Sequence, residues 1–445
     1  MSLLRHGAET LVWQLGGFLA LMVSGMLTAR YLGPEARGLL AAAYLYPMLA
    51  TTLGSLSLGV AIIHHSGRGR FRPEEFAGTL AVASAGLGGG TLLILLLGGY
   101  LGGESLHRGI PWALLVIVLL SVPFLFALGF FSTLLQAALD FRAFNAVTHG
   151  PKLLSLAVVV ILLALGRLRV WDLVILGTLV SALIGIAPVW RMRRHAPGPW
   201  RFRWELFRTL AADGLRMHLG AVAIFLASRA NLFFANYYLP KAEVGFLYIA
   251  ITLAELLWFL SIAAETVLYP HAAQLSSADA ISLTTRACRQ VFTLSLAAGI
   301  LLGLFGPLLI SAYAGRAYLP ATAPLRLLLP GVVALTISKI LSALWIREGW
   351  FWLLSALAAG TALLSLALNI GLVPLLGTSG AALATTLPYL GNAAASILLY
   401  RRRLSRQTHE VWRLRWEDVQ VFVDALRRWP ARTGNRDPNS MPRPS

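Results

Sequence analysis

Charge is scarce in this chain: 13% of its 445 residues are charged, against about 25% in a soluble domain. Burial in one protein core cannot absorb such a deficit over this length, whereas a bilayer can, because lipid replaces water around apolar side chains. Acid is scarcer than base, 19 Asp and Glu against 37 Lys and Arg, for a net charge of +18. A basic chain suggests nucleic acid, but basic loops are also what membrane topology requires, and no nucleic-acid partner is expected. The single cysteine, Cys288, excludes an intramolecular disulfide and a thiolate metal cluster, and reads as an inert helix residue. No Gly-x-x-x-x-Gly-Lys-Ser/Thr run is present, which removes ATP hydrolysis by that route. There is no His-Glu-x-x-His, no His/Cys cluster and no carboxylate pair in a catalytic frame. The expectation is a protein with no cofactor, no metal site and no enzymatic chemistry.

What is present is apolar: 57% of the residues are hydrophobic. A membrane span needs about 20 such residues, and the chain supplies twelve segments. Six run 10–30, 38–63, 77–100, 111–136, 147–166 and 171–190; six more run 217–238, 244–269, 288–313, 325–346, 351–374 and 379–400. The first is longer than a signal-peptide core and lacks a small-x-small cleavage site, so it reads as a retained span. Lys and Arg concentrate in the break at 191–216 and beyond residue 401. The positive-inside rule then puts both termini in the cytoplasm.

The break "RMRRHAPGPWRFRWELFRTLAADGLRMH" divides the segments six and six, and the halves echo one another. "ARYLGPEARGLLAAAYLYP" (29–47) aligns with "ANYYLPKAEVGFLYIAITL" (235–253) with one inserted residue. Ala29 meets Ala235, Tyr31 meets Tyr237, Pro34 meets Pro240 and, past the insertion, Gly38 meets Gly245. Each copy joins its half's first segment to its second. Six spans per half keep both halves in one orientation, which predicts a parallel repeat about an axis along the membrane normal. The expected fold is therefore all-α and integral to the membrane, in two six-helix lobes. The lobes would be 1–190 and 217–400, with a basic linker at 191–216 and a basic tail at 401–445.

Ionisable groups inside spans are costly, which makes them candidates for function. Arg229 lies near the middle of the seventh segment, about 18 Å from its end at 1.5 Å per residue, and Glu255 lies at matching depth in the eighth. Either Arg229 lines a cavity and meets an anionic group, or the pair neutralises itself between two helices. Asn236 follows Arg229 by seven residues and shares its face, which suggests a watery lumen. Asn231 faces away and is expected to bond a neighbouring helix. Lys339 is a cavity cation or a snorkelling lysine. Glu265 is a gate, a proton carrier or a solvated rim residue. Gln14 and Asn392 read as glue between helices, and Gly86–Gly90 as a close helix contact. Arg30 and Arg37 flank the first turn, either as interfacial arginines or as a cationic mouth that holds phosphate. Beyond the spans, Trp412, Trp416, Val419, Val423 and Leu426 form one stripe of an expected interfacial helix at 409–429.

Three stretches carry a family resemblance. "RYLGPEARGLLAAAYLYP" follows the first span, "SRANLFFANYYLPKAEVGFLYIA" (228–250) runs from within the seventh span into the eighth, and "LVPLLGTSGAALATTLPY" (372–389) covers the penultimate turn and the start of the last span. Together they resemble the polysaccharide flippases of the multidrug/oligosaccharidyl-lipid/polysaccharide exporter superfamily, over about residues 8–400. That family often has Arg-x-Asp where this chain has Arg229-Ala230-Asn231, so the match stands at Arg229 and not at Asn231. The resemblance implies two lobes around a cavity open alternately to each side. It further implies transfer of undecaprenyl-pyrophosphate-linked oligosaccharides across the bacterial inner membrane, for O-antigen, capsule or exopolysaccharide assembly. Its implied partners are the lipid-linked oligosaccharide, membrane lipids, a polymerase and glycosyltransferases. Rival readings are a drug/cation antiporter, a lipid II flippase (a group with two more C-terminal helices) and a non-transporting scaffold. The substrate-site candidates are Arg229, Lys339, Arg30, Arg37 and Asn236. Glu255 and Glu265 are candidates for coupling to H⁺, Na⁺ or the membrane potential.

Overall fold

The computed structural model describes residues 2–66 and 71–404, and all regular structure within them is helical. The interfacial helix expected at 409–429 lies outside the described residues. Ten helical stretches are long and apolar enough to cross a membrane, and two of these contain two spans each. α1 (Ser2–Gly54) breaks at Gly33, where φ is 78°. Its 53 residues would reach about 80 Å if straight, far beyond a hydrocarbon core of about 30 Å. A left-handed φ is open to glycine at little cost, and Pro34 then starts the second span from a position that needs no N–H. α14 (Phe351–Arg403) breaks likewise at Gly377, φ 60°. A Cβ on Gly380 would lie 2.0 Å from the Leu372 carbonyl oxygen, so the chain folds back on itself there. Counted this way, the described residues hold twelve spans.

The first lobe continues through α2 (Leu58–Ser66), α3 (Pro73–Gly102), α4 (Glu104–His107), α5 (Trp112–Leu119), α6 (Val122–Ala137), α7 (Phe141–Ala164) and α8 (Val170–Met192). The second comprises α9 (Trp204–Tyr238), α10 (Lys241–Glu255), α11 (Trp258–Gln274), α12 (Ser277–Tyr313), a 3₁₀ turn at Arg316–Ala321, α13 (Thr322–Arg347) and α14. Three of the twelve spans are broken inside the apolar run. The second divides at Leu56 and Ser57, both at positive φ, the fourth between α5 and α6, and the eighth between α10 and α11.

The segment at 191–216, expected as a polar linker, is seated on the first lobe. A Cβ on Gly78 would meet the Arg201 backbone at 2.5 Å, Trp200 stacks on Phe131, and the Arg203 guanidinium donates to Glu75 at 2.7 Å. From Trp204 the chain is already α9, and Leu206 and Leu210 are buried in the first lobe's core. α9 thus starts on one lobe and ends in the other.

Asp140 anchors the start of this segment. Its carboxylate caps α7 by accepting from the Ala143 N–H at 3.1 Å, and it also accepts from Arg191 at 2.7 Å and His195 at 2.9 Å. Burial works against the charge, but the bonds from His195, the Ala143 backbone and Arg191 outweigh it and hold the carboxyl below its ordinary range. A depressed folded pKa stabilises the fold above the unfolded value, and that stabilisation is lost as pH falls through the folded one. Asp140→Asn should therefore lower the melting temperature at pH 7. The deficit relative to wild type should shrink below about pH 4, as thermal unfolding in detergent would read.

A candidate site between and within the lobes

On the side of the membrane that carries the Gly33 turn, the two copies of the sequence repeat touch. A Cβ on Gly38 would fall 1.7 Å from the Lys241 carbonyl oxygen and 2.8 Å from the Gly245 nitrogen. One on Gly245 would fall 2.2 Å from the Pro34 carbonyl oxygen. The repeat-related glycines thus meet each other where the lobes cross. Around them each lobe grips the other's first turn. Arg30 donates to the carbonyls of Ala312 and Tyr313, and the Tyr318 hydroxyl to Ala29 at 3.2 Å. In the other lobe's counterpart, Arg108 donates to the Tyr237 carbonyl at 3.0 Å and Lys241 to that of Arg108 at 2.6 Å. This side is shut.

Behind the crossing lies a cavity of about 630 Å³ walled by both lobes. Arg37 enters it. The guanidinium stands 4.6 Å over the Tyr248 ring, with Tyr44 and Tyr313 in the same wall. Its Nε is buried without a hydrogen-bond partner, and no described carboxylate pairs with it. The structure therefore separates Arg37 from Arg30, which is exposed and spent on backbone carbonyls.

Arg229 and Glu255 also reach this cavity, joined by two hydrogen bonds of 2.6 and 3.3 Å. Depth matching on two adjacent spans was enough to anticipate that pair. Lys339 and Glu265 form a second one, 3.4 Å apart. Glu265 is mostly buried, with 17% of its side chain exposed, not at a solvated rim. Lys339, Glu265 and Arg229 border a smaller cavity of about 460 Å³ inside the second lobe, and Arg229 and Trp258 belong to the walls of both cavities.

Other expectations divide. Asn231 bonds the Thr385 hydroxyl at 2.8 Å, and Asn392 ties the two spans of α14 through Thr361 at 2.7 Å. Asn236 does not extend a polar stripe into the lumen: it is buried and accepts from Lys241 at the end of its helix. Gln14 is exposed and makes no hydrogen bond to a neighbouring helix among the described residues. Of Gly86–Gly90, only Gly88 makes a close contact, against Pro123. The tyrosines around Arg37 escaped notice in the sequence. A signal was there, since Arg37 and Tyr44, like Tyr248 and Glu255, are seven apart and share a helix face.

Residues 27–323 match a family model described as "Polysaccharide biosynthesis protein". The chain belongs to that family. No curated protein matches it. Among solved structures it is similar to the lipid II flippase MurJ in an inward closed conformation. There the TM-score is 0.74 at 14% identity, over 94% of this chain and 93% of that one. It is also similar to an inward-facing multidrug resistance MATE transporter of the MOP superfamily, with TM-score 0.72, 15% identity and coverage of 87% and 94%. An outward-facing MATE structure gives 0.53 at 15% identity, over 87% and 95%. The family's fold is thus that of the MOP transporters, two helical lobes spanning a membrane.

Proposed function

We propose that this protein flips undecaprenyl-pyrophosphate-linked oligosaccharides across the bacterial inner membrane by alternating access, for O-antigen, capsule or exopolysaccharide assembly. The observation that carries the reading is Arg37. With Arg229 neutralised by Glu255, it leaves the cavity between the lobes with one unpaired charge among the described residues, and that charge is positive. A pyrophosphate would supply the missing partner through charge-assisted hydrogen bonds. The Tyr248 ring holds the guanidinium in place while its Nε–H stays free. A drug/cation antiporter would need the opposite sign here. The shut side is assigned to the periplasm, consistent with basic loops facing the cytoplasm and with the better fit to inward-facing relatives. The lipid tail stays in the bilayer as the headgroup crosses. Glu255 and Glu265 remain the coupling candidates for H⁺ or Na⁺, and a polymerase and glycosyltransferases the expected partners.

The test is headgroup translocation in proteoliposomes. Losing a charge-assisted contact of about 1.5–3 kcal/mol should slow flipping by Arg37→Gln about 10- to 100-fold, with Arg37→Lys in between. Flipping by well-folded Arg37→Gln at the wild-type rate would remove Arg37 from the mechanism. Wild-type protein that exports organic cations and flips no lipid would overturn the reading itself.

A further inference from the structure

The cavity inside the second lobe has a chemistry of its own. Its volume of about 460 Å³ lies within the range of about 300–1,000 Å³ for small-molecule sites. Aromatic side chains line it: Trp258, Tyr269 and Trp345, with Tyr389 beside Trp258 at 6.1 Å between ring centroids. Between them stand polar groups with nothing to bond. Trp258 Nε1, Trp345 Nε1, Ser338 Oγ and Ser396 Oγ are all buried and all lack a hydrogen-bond partner. Each such group costs about 1–3 kcal/mol unless something satisfies it. Four in the wall of one cavity call for a common explanation.

The charges at the cavity narrow the ligand. Arg229 is taken by Glu255 and Lys339 by Glu265, so among the described residues no free cation waits there for a phosphate and no free carboxylate for an amine. An acyl chain would fill the space but leave both indole N–H groups and both hydroxyls unbonded. A neutral ligand with several hydroxyls and an apolar ring face fits both halves of the wall. Hydroxyls would meet the serines after a change of χ1 rotamer, and the ring face would lie on Trp258, which borders the cavity.

We infer that this pocket binds a saccharide ring. The break between α10 and α11 places Trp258 at the first position of α11, where it borders both cavities. If the transport reading above holds, on which this last step rests, the sugar would be part of the headgroup whose pyrophosphate sits at Arg37. The pocket would then select the cargo by its sugar, while Arg37 recognises the phosphate common to all such carriers.

The test uses full-length protein in nanodiscs, in a Cys288→Ala background, with Ser338→Cys as a reporter thiol. Methyl methanethiosulfonate labels it in the presence of a panel of methyl glycosides of glucose, galactose, mannose and N-acetylglucosamine. A glycoside at about ten times its Kd leaves roughly a tenth of the sites free, so labelling should slow about tenfold. Trp258→Leu in the same background should abolish the protection, and Trp258→Phe, which keeps an aromatic face, should retain part of it. A reagent that enters freely while no glycoside protects overturns the inference. So does protection by inorganic pyrophosphate alone, or a thiol that no reagent reaches in natively folded protein. Protection by a glycoside in a protein that flips no lipid would leave the pocket standing and remove the transport reading instead.

Discussion

Gly38→Ala should abolish transport and leave the lobes unable to close on the side of the Gly33 turn. The argument is steric. The added methyl would sit 1.7 Å from the Lys241 carbonyl oxygen, a backbone atom that no rotamer change can move. The neighbouring glycine contact offers no room either, since Gly245 is itself pressed against Pro34. An alternating-access protein must visit a state closed on each side, and here the closed state depends on backbones meeting at two glycines. Gly89→Ala serves as the control. It lies in α3 with nothing within 4 Å of the added carbon, and Ala in place of Gly within a helix is worth about 1 kcal/mol of stabilisation. Spin labels at Glu35 and Arg316, exposed residues of opposite lobes, would report the separation. Gly38→Ala should shift their distance distribution to longer values and Gly89→Ala should not. Unchanged distances with normal flipping by Gly38→Ala would mean that the crossing is not a gate.

Breaking the Arg229–Glu255 pair should have the next largest effect, on folding more than on turnover. Removing one partner leaves a largely buried charge uncompensated, at a cost below the about 3–5 kcal/mol of a fully buried pair because both side chains also face the cavity, so Arg229→Ala and Glu255→Ala should each lose folded yield and melt earlier. The double variant Arg229→Leu with Glu255→Leu removes both charges and should recover most of the stability, as apolar replacements of ion pairs often do. Because the charge of Arg229 is spent on Glu255, we expect the double variant still to flip lipid-linked oligosaccharide down its concentration gradient without an ion gradient, in contrast to Arg37→Gln, and to lose acceleration by a H⁺ or Na⁺ gradient if Glu255 is the coupling residue. A stable double variant that cannot flip would instead give the pair a place in transport, whether in holding substrate or in coupling. The three proteins compared side by side separate fold from function, which Arg229→Ala alone cannot.

These contrasts mark how far the sequence could be read. The spans were legible because the bilayer sets their length. The short Gly-Pro and Gly-Thr turns at Gly33 and Gly377 still register as two spans each, although the helices run together through them. The Arg229–Glu255 contact was legible because consecutive antiparallel spans bring equal depths side by side. Asn236 was misplaced for a related reason: sharing a helix face with Arg229 does not put it in the same cavity, since its own depth takes it to the helix end and to Lys241. The ambiguity over Arg30 and Arg37 was of the same kind. Both flank one turn, and only the position of the second lobe decides which meets backbone carbonyls and which meets a cavity.

By itself, then, the sequence determined the solvent, the number of spans, their division into two related halves and the family, because each depends on composition, local periodicity and internal repetition along the chain. Tertiary structure alone decided which cations are free. Ion pairing depends on contacts between distant spans: Lys339 finds Glu265 across 74 residues, while Arg37, set among tyrosines from both lobes, finds no acid among the described residues. It also decided that the repeated turn is a contact between the two halves as well as a turn within each. Two glycines 207 positions apart in sequence are repeat partners in the chain and touching partners in the fold, and no one-dimensional pattern contains that second fact.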